Sequence, residues 1–420
     1  MPEATTRSPA GSPSAAPDDP WHGVNFLDPA VRERVRRNPH PALAHLRRVA
    51  PVHRTPIGVW RIARHADVLH VLREAPVGVR TSDGLLPGAA RSLPDWGPGE
   101  FLLSQDPPRH TRLRGLVSRA FTPRAVERLR PRARALAEAR VKRALERGSL
   151  DVIEELAFEV PSALICEMMG VPAADRSRFT DWTARATHLL TASFGNQDLD
   201  DAREAGAQLA AYFGDLVAER RKSRSEDLLS RLIGAEEEGD RLSEAELLSQ
   251  SIGLLIAGFE TAIGLIGNGV LALLQHPDAQ ALLRARPGLV AGAVEECLRH
   301  DGPIVLTIRV AHADFPLGGQ TIPRDAVLML LLAAANRDPG QFSDPDRFDI
   351  ERAPNPHLAF GGGAHSCLGA HLARMEAQEA IGALVGRTSR LELACAPEAL
   401  EYGPSLFRVL ARLPISVAPA

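Results

Sequence analysis

A glycine-rich turn that ends in a cysteine is the segment of this sequence best suited to chemistry. It reads Phe360-Gly361-Gly362-Gly363-Ala364-His365-Ser366-Cys367-Leu368-Gly369. Glycines allow a positive φ and a close approach of the backbone to a ligand. Leu368, Leu372 and Met375 have helical spacing, which places Cys367 at the start of a helix. The helix dipole and the free N–H groups favour a thiolate there, and a thiolate is a suitable soft ligand for iron.

Residue types alone leave other interpretations of this turn open. A dinucleotide-binding loop is disfavoured because Ser366 takes the third glycine position and no clear strand precedes it. A phosphate-binding loop is disfavoured because Gly-Lys-Ser/Thr is missing. A purely structural turn is possible. A zinc cluster is also conceivable, although its spacing matches no common zinc pattern, from the nearby ligand types His357, His365, Cys367 and His371.

As a whole, the turn resembles the haem-binding loop of the cytochrome P450 superfamily, Phe-Gly-x-Gly-x-His-x-Cys-x-Gly. Six of the ten positions are fixed, and the sequence matches them at Phe360, Gly361, Gly363, His365, Cys367 and Gly369. The resemblance continues over nearly the whole chain after residue 20. It implies a soluble bacterial haem-thiolate monooxygenase in which Cys367 is the axial ligand of the haem iron and the loop holds the haem.

A long apolar helix is predicted in the middle of the chain. Ser243 is its expected N-cap with Glu246 as capping-box partner, and it runs to about Gln275. Residues 252–274 are long enough to span a bilayer. Because three polar residues interrupt the run, a buried central helix of a soluble protein is the better interpretation.

Ala257-Gly258-Phe259-Glu260-Thr261 lies midway along this helix. Glycine in a helix interior costs about 1 kcal/mol relative to alanine, so Gly258 suggests a local opening. A buried carboxylate is costly unless it is paired, hydrated or functional, and the residues alone leave a polar defect satisfied by its neighbours possible. The resemblance implies an oxygen-binding groove at Ala257 and Gly258. It also implies that Glu260 and Thr261 are an acid–alcohol pair that delivers protons to dioxygen.

Two further groups of charged residues have roles implied by the resemblance. His110 and Arg114 share a helix face at i, i+4 spacing, which alone is also typical of a solvated basic helix. The resemblance implies that the haem propionates are bound by His110, Arg114, Arg309 and His365, through charge-assisted hydrogen bonds. Glu296 and Arg299 form a Glu-x-x-Arg pattern at i, i+3, which alone is weak evidence of function because such ion pairs are common on solvated helix faces. The resemblance makes it a structural group below the haem, made of Glu296, Arg299 and Arg347.

Composition and length limit the class of protein. The 420 residues are 45% hydrophobic and 24% charged with a net charge of −3. These values disfavour disordered, collagen-like and membrane classes, as well as a basic nucleic-acid binder. Length alone suggests about two or three domains. No stretch within 21–420 has the composition of a linker, so we expect one mainly α domain with small β-sheets.

By resemblance this is a single-domain cytochrome P450 fold, with haem between the long central helix and the helix after Cys367. Residues 1–20 are expected to be a disordered tail without a signal peptide or membrane anchor. Further helices are expected at 122–148, 152–169, 201–221 and 289–300, and extended pieces at 52–54, 59–62 and 304–330.

The remaining cysteines and the lysines are uninformative about catalysis. Cys166, Cys297 and Cys395 are expected to be packing residues. Four cysteines are no disulfide framework, which fits a reducing cytoplasm. Only Lys142 and Lys222 are lysines, which disfavours Schiff-base and phosphate-loop chemistry.

The resemblance implies haem b as cofactor, O2 as co-substrate, and electrons from NAD(P)H through a ferredoxin or flavodoxin with its reductase. A basic face near Arg109, Arg112 and Arg119 is expected to dock an acidic partner, or is merely solvated. We expect a monomer that binds neither nucleic acid nor membrane.

The resemblance implies a substrate pocket lined by residues of segments 80–104 and 185–198 and by Ile304, Val305, Leu306, Leu406 and Phe407. The Gly/Pro-rich loop at 84–100 is expected to gate entry to it. The resemblance implies hydroxylation or epoxidation. Since these named residues are apolar, we expect the substrate to be a hydrophobic small molecule such as a terpenoid, steroid, fatty acid or polyketide. The alternative is a non-catalytic haem-thiolate ligand or gas sensor, which would not need a proton-delivering pair.

Overall fold

A computed structural model describes residues 29–87, 100–189, 199–234, 236–237, 240–403 and 407–420. The predicted tail at 1–20 lies outside the described residues. So do Leu406 and parts of the predicted pocket and gating segments.

Helices dominate the described chain. The first seven are α1 (Pro29–Arg37), α2 (His40–Val49), α3 (His65–Arg73), α4 (Arg109–Ala120), α5 (Pro123–Glu127), α6 (Arg130–Arg147) and α7 (Glu159–Met169). The others are α8 (Arg176–Ala186), α9 (Asp200–Lys222), α10 (Leu228–Gly234), α11 (Glu244–Gln275), α12 (Pro277–Ala285), α13 (Val290–Asp301), α14 (Leu332–Ala335) and α15 (Ala370–Gly386).

The strands form small sheets around this helical body. They are β1 (Val52–Arg54), β2 (Trp60–Ile62), β3 (Val77–Gly78), β4 (Ser149–Asp151), β5 (Glu236–Glu237), β6 (Asp240–Arg241), β7 (Thr307–Ala311), β8 (Phe315–Leu317), β9 (Gln320–Ile322), β10 (Val327–Leu330), β11 (Thr388–Leu393) and β12 (Pro414–Pro419). The main sheet has the order β1-β2-β10-β7-β3, with β2 and β10 parallel through the Leu328–Trp60 register. A second sheet has the order β11-β12-β4, and β5-β6 and β8-β9 are hairpins.

The central helix α11 matches its prediction. The Ser243 side chain accepts from the Glu246 N–H, and the Glu246 carboxylate accepts from the Ser243 N–H, which completes the capping box. By length and composition α11 could cross a membrane, but 72% of its most apolar 18-residue window is buried inside the protein. It is a core helix, and α15, α13, α9 and α7 pack on it.

Other predicted elements differ in their boundaries. The helix predicted over 122–148 is divided into α5 and α6. The helix predicted over 152–169 begins as a π-helical turn at Ile153–Ala157 and continues as α7. The helix after Cys367 begins at Ala370. Cys395, for which the Leu/Ala-rich sequence around it predicts a strand, lies beyond the end of β11.

Candidate functional site

Backbone hydrogen bonds close the glycine-rich turn onto itself. The Cys367 N–H donates to the Phe360 carbonyl at 2.9 Å, and the Ser366 N–H donates to the Gly363 carbonyl at 3.1 Å. Gly363 has a φ of +65°. A Cβ on this glycine would overlap the carbonyl oxygen of Leu72 at the end of α3. Only glycine therefore satisfies both the left-handed backbone and the close approach of α3.

Cys367 differs from the other cysteines in its surroundings. Its side chain is exposed, whereas Cys166 and Cys297 are buried among apolar residues. Burial raises the pKa of Cys166 to about 12. The pKa of the Cys367 thiol is also raised, because desolvation by the surrounding turn and helices outweighs the hydrogen bond from the Gly369 N–H and the charges of Arg114 and Arg374. A metal ion at the sulfur would reverse that balance by stabilising the thiolate.

A half-buried ion-pair group supports the Phe360 ring at the start of the turn. The guanidinium of Arg374 stacks over this ring at 4.5 Å from its centroid. Arg374 also forms a two-point ion pair with Glu295, at 2.7 and 2.9 Å. His357 Nε2 lies 3.1 Å from the same carboxylate. Burial raises the pKa of Glu295, but the hydrogen bonds from His357 and Arg374 outweigh it and lower that pKa to about 2.

The zinc interpretation is wrong for this geometry. No group of three or more His, Cys, Asp or Glu side chains arranged to hold a metal ion occurs among the described residues, which include all four candidates. His357 is committed to Glu295 instead.

Four basic or imidazole side chains from three parts of the chain interact at one place. They are His110 and Arg114 on α4, Arg309 on β7, and His365 in the turn. The rings of His110 and His365 have centroids 4.1 Å apart. Arg114 donates from Nη2 to the Ser366 hydroxyl at 3.2 Å, beside Cys367. The four residues predicted by resemblance are thus brought together by the fold.

Among the described residues, no carboxylate forms a hydrogen bond or ion pair with these four side chains, although Asp106 is close enough for its charge to act on His110 and Arg309. His110 Nε2, Arg114 Nη1 and His365 Nδ1 are buried atoms without a hydrogen-bond partner. Desolvation, followed by the charge of Arg309, lowers the pKa of His365 to about 3. Desolvation also lowers the pKa of Arg309 to about 10. Unpaired buried donors and cations are costly, so the arrangement fits a ligand that brings carboxylates.

One face of α11 is partly exposed in a stretch where the rest of the helix is buried. Between Ser249 and Leu273, solvent reaches only Leu254, Ala257, Gly258, Glu260 and Thr261. Four of these have the spacing i, i+3, i+4 and i+7, which is one helix face, and Glu260 lies beside it. A Cβ on Gly258 would meet no atom within 4 Å. The Thr261 hydroxyl donates to the Ala257 carbonyl at 2.8 Å. Ala257 and Gly258, the residues predicted to form the groove, lie on this stripe.

Glu296 and Arg299 form a two-point ion pair, with both side chains fully buried and both N–O distances 2.8 Å. Arg299 also donates to the backbone carbonyls of Asn336, Pro345 and Arg347 in the coil before the turn. The pair therefore joins α13 to that coil.

The prediction that the Arg347 side chain completes this group is wrong. Its guanidinium is 68% exposed and its nearest carboxylate is Asp349, 3.8 Å away. Arg352 takes the place instead, with Nε 3.3 Å from Glu296 and only 9% of its side chain exposed. Asn355 also donates to Glu296, at 3.1 Å. Arg347 contributes only its carbonyl, because the coil turns between Arg347 and Arg352.

Two residues of the predicted basic face are already paired within the chain. Arg112 forms an ion pair with Glu246, and Arg109 pairs with Glu100 and, at 3.5 Å, with Glu246. Arg119 is exposed. Local patterns could not predict these pairs, because Glu246 lies 134 residues from Arg112 and Glu100 lies nine residues before Arg109, outside α4.

The predicted pocket residues are distributed over several apolar clusters. Ile304 packs with the main sheet, whereas Val305 and Leu306 pack against Leu43 and Leu46 of α2. Phe407 packs on the main core. A cavity of about 700 Å³ elsewhere is lined by polar residues that include His40, Asn268, Asp301 and Arg408. It contains neither Cys367 nor the open face of α11, so it is not the predicted substrate pocket.

An apolar central helix with a local opening, a solvent-reachable cysteine turn and a cluster of arginine and histidine side chains with unpartnered buried nitrogens define a cofactor-binding α-rich enzyme. The chain matches the family model described as Cytochrome P450 over residues 89–286 and 288–391. It is 42% identical over 392 residues to the vitamin D(3) 25-hydroxylase of Pseudonocardia autotrophica, covering 91% of this chain and 94% of that protein. It is 41% identical over 397 residues to the cytochrome P450 monooxygenase PikC of Streptomyces venezuelae, covering 92% of each.

Solved structures agree with the sequence relatives. P450BioI, in complex with hexadec-9Z-enoic acid ligated acyl carrier protein, matches with a TM-score of 0.85 and 37% identity. The match covers 92% of this chain and 99% of that chain. This chain belongs to the cytochrome P450 family. The predicted fold class and the predicted enzyme class, a cytochrome P450 monooxygenase, are confirmed. Its cofactor is haem b, its co-substrate is O2, and its electrons come from NAD(P)H through partner proteins.

The described residues fit this cofactor. The turn offers one reachable thiol for an iron atom. The unpartnered atoms of His110, Arg114 and His365 suit the two propionates of a haem. Partly exposed apolar side chains on α11 suit the porphyrin and a small molecule above it.

Proposed function

We propose that this protein hydroxylates or epoxidises a hydrophobic natural product, with Cys367 as the axial thiolate of its haem. The observation that carries the proposal is the position of the cation cluster next to the cysteine. Arg114 bonds to Ser366, one residue before Cys367, and keeps a second nitrogen unpartnered. A thiol and carboxylate-binding groups side by side suit a metalloporphyrin better than a bare metal ion or a nucleotide.

The residues divide by task. Cys367 would hold the iron, and the N–H of Gly369 would stabilise its sulfur. His110, Arg114, Arg309 and His365 would hold the propionates. Haem with a thiolate ligand supplies O–O bond cleavage, as in cytochromes P450 generally. Glu296, Arg299 and Arg352 would fix the coil that leads into the turn.

We propose that side chains on the open face of α11 deliver protons to the reaction site. Gly258 leaves room for a molecule of the size of dioxygen, and Ala257 forms the wall beside it. The Thr261 hydroxyl donates to the Ala257 carbonyl in the resting geometry, so its oxygen is free to accept a proton donor. Once the hydroxyl turns away from that carbonyl, Thr261 Oγ1 would donate its proton to an acceptor in the groove. Glu260, one residue away and reachable by solvent, would supply protons to it.

The proposed substrate class is a large lipophilic natural product. The named pocket candidates in the described chain, Ile304, Val305, Leu306 and Phe407, are all partly buried apolar residues. Names of relatives support a lipophilic substrate, among them vitamin D(3) 25-hydroxylase, a mycinamicin IV hydroxylase/epoxidase and a polyketide biosynthesis cytochrome P450. A polyketide or a steroid-like molecule is therefore our first choice over a fatty acid.

A ferredoxin or flavodoxin is the proposed electron donor, docking where α3, α5 and the cysteine turn meet the surface. Because Arg109 and Arg112 are paired internally, the basic residues for this contact are different ones. Arg73 lies against Gly362 of the turn, and Arg124 and Arg128 on and after α5 are exposed. We also propose that residues 21–420 form one haem domain that works as a cytoplasmic monomer.

The test is a spectral-shift screen of lipophilic compounds with the purified holoenzyme, followed by turnover with a surrogate ferredoxin and its reductase. We expect a substrate-dependent rise in NADPH use and an oxygenated product. A ligand-induced spectral shift without NADPH use or product would favour the sensor alternative. Glu260→Gln should slow product formation without weakening the spectral shift.

A further inference from the structure

Two buried polar side chains on α11, Glu246 and Gln250, hold the chain segment that leads into α4. They are one helical turn apart, so they lie on the same face. Gln250 has no exposed surface, and Glu246 is 6% exposed. Neither had a predicted role beyond the capping box, and neither touches a residue of the proposed haem site directly.

Gln250 uses both ends of its amide on the backbone before α4. Its Nε2 donates to the Glu100 carbonyl at 3.0 Å, and its Oε1 accepts from the Leu102 N–H at 3.1 Å. The two bonds flank Phe101, whose side chain is 2% exposed. Because one backbone group is an acceptor and the other a donor, the Gln250 amide satisfies both at once, which neither an ionised carboxylate nor an apolar side chain of the same size could do.

Phe101 fills a slot created by the lack of a side chain at Gly253. A Cβ on Gly253 would overlap the Phe101 ring. Gly253 lies one turn before Ala257, the first residue of the proposed dioxygen groove. The position of Phe101 is therefore fixed on the helix that carries this groove, a turn away from it.

Glu246 fixes α4 itself. One carboxylate oxygen accepts from the Ser243 N–H at 3.0 Å to cap α11. The other pairs with Arg112 and lies 3.5 Å from Arg109. On α4 these arginines alternate with His110 and Arg114. The helix that carries two proposed propionate ligands is thereby tied to the first turn of α11.

We propose that Glu246 and Gln250 are positioning residues for the monooxygenase reaction. They hold Phe101 and α4 on α11 and so set the spacing between the propionate-binding side chains and the dioxygen groove. This inference rests on the proposed function. It predicts that loss of the Gln250 bonds changes the space above the haem while the thiolate ligand and the haem stay in place.

The test compares Gln250→Leu with a matched control, Gln280→Leu, in the haem-loaded protein. Gln280 on α12 is also buried and also makes two hydrogen bonds, to the Leu391 carbonyl and from Arg284. The probes are imidazole and 4-phenylimidazole, which bind haem iron with a spectral shift and differ by one bulky phenyl ring, so the ratio of their affinities is compared between variants. Hydrogen exchange of the Leu102 amide reports the bond directly.

For Gln250→Leu we expect 4-phenylimidazole to bind at least about fivefold more weakly, with imidazole within about twofold of wild type. The Leu102 amide should exchange faster. Gly253→Ala should reproduce the loss by displacing the ring, and adding Phe101→Leu should restore part of it. The control should lower the melting temperature without changing the ratio of the two affinities.

An unchanged ratio in Gln250→Leu and Gly253→Ala would overturn the positioning role, even with a lower melting temperature. So would an equal change in Gln280→Leu. Failure of the proposed function looks different, because the wild-type protein would then still bind these ligands with a spectral shift but show neither substrate-dependent NADPH use nor an oxygenated product.

Discussion

The rings of His110 and His365 lie with their centroids 4.1 Å apart, although one belongs to α4 and the other to the cysteine turn. Each keeps one buried ring nitrogen without a partner. Burial lowers the pKa of both, so the pair is neutral near pH 7 and ready to accept or donate at those nitrogens. Such a contact joins two distant parts of the chain at the place where a bound carboxylate would lie.

Replacing Thr261 should uncouple electron use from product. In Thr261→Ala we expect product per NADPH to fall by at least about tenfold while NADPH oxidation continues, because the hydroxyl that passes the proton is lost. Thr261→Ser should recover most of the coupling. The matched control is Thr183→Ala, which removes the same kind of bond to a carbonyl four residues back. Full coupling in Thr261→Ala would show that the hydroxyl has no proton role.

Gly363 should tolerate no side chain. Gly363→Ala combines a left-handed backbone, which costs about 1–2 kcal/mol, with an overlap with the Leu72 carbonyl oxygen. We expect loss of haem binding or of soluble protein. Gly58→Ala is the control, because its φ is also positive but its Cβ would meet nothing within 4 Å. Its unfolding free energy should fall by only about 1–2 kcal/mol, and equal losses at both positions would exclude the close approach as the cause.

The Arg352 side chain should contribute more to the free energy of unfolding than the Arg347 side chain. Arg352→Gln removes a buried charged hydrogen bond to Glu296, so the unfolding free energy should fall by about 1–3 kcal/mol. The exposed Arg347 side chain should be replaceable by Gln within about 0.5 kcal/mol. Denaturant unfolding of both variants measures the difference, and the reverse order would restore Arg347 as the third member of the group.

Stability should depend on pH through His300. Burial and then the charge of Arg337 lower the pKa of His300 from 6.5 to about 2. The unfolded chain therefore binds one more proton at this residue between those values, and its contribution to stability is lost as pH falls below about 6.5. His300→Gln should give a shallower loss of melting temperature between about pH 6.5 and 4. The exposed His70→Gln is the control, and identical slopes for wild type and His300→Gln would contradict the shift.

Short sequence patterns predicted the central helix α11 well. The Ser243–Glu246 capping box and the apolar run after it lie within one segment, and α11 begins and ends where they indicate. The open face at Ala257, Gly258 and Thr261 was also predictable, because a glycine and polar groups interrupt that run. The split between α5 and α6 was not, because both halves have the same composition and the break lies at Arg128 and Leu129.

Long-range polar contacts could not be predicted. Arg347 and Arg352 lie five residues apart in a coil without periodicity, and only the path of the backbone decides which one reaches Glu296. Gln250 reads from sequence as one polar residue in a helix, and its partners at Glu100 and Leu102 are about 150 residues away along the chain. The motif match at Cys367 needed no such contacts, because its residues lie within one turn.

The reduced carbon monoxide spectrum of the purified protein and of Cys367→Ser tests the central claim most directly. The account predicts the red-shifted Soret band of a thiolate-ligated haem in the wild type. It predicts loss of that band in Cys367→Ser and its retention in Cys395→Ser, which removes a partly exposed cysteine beyond β11. A red-shifted band that persists in Cys367→Ser, or a haem-loaded wild type without it, would contradict the assignment of Cys367 as the iron ligand.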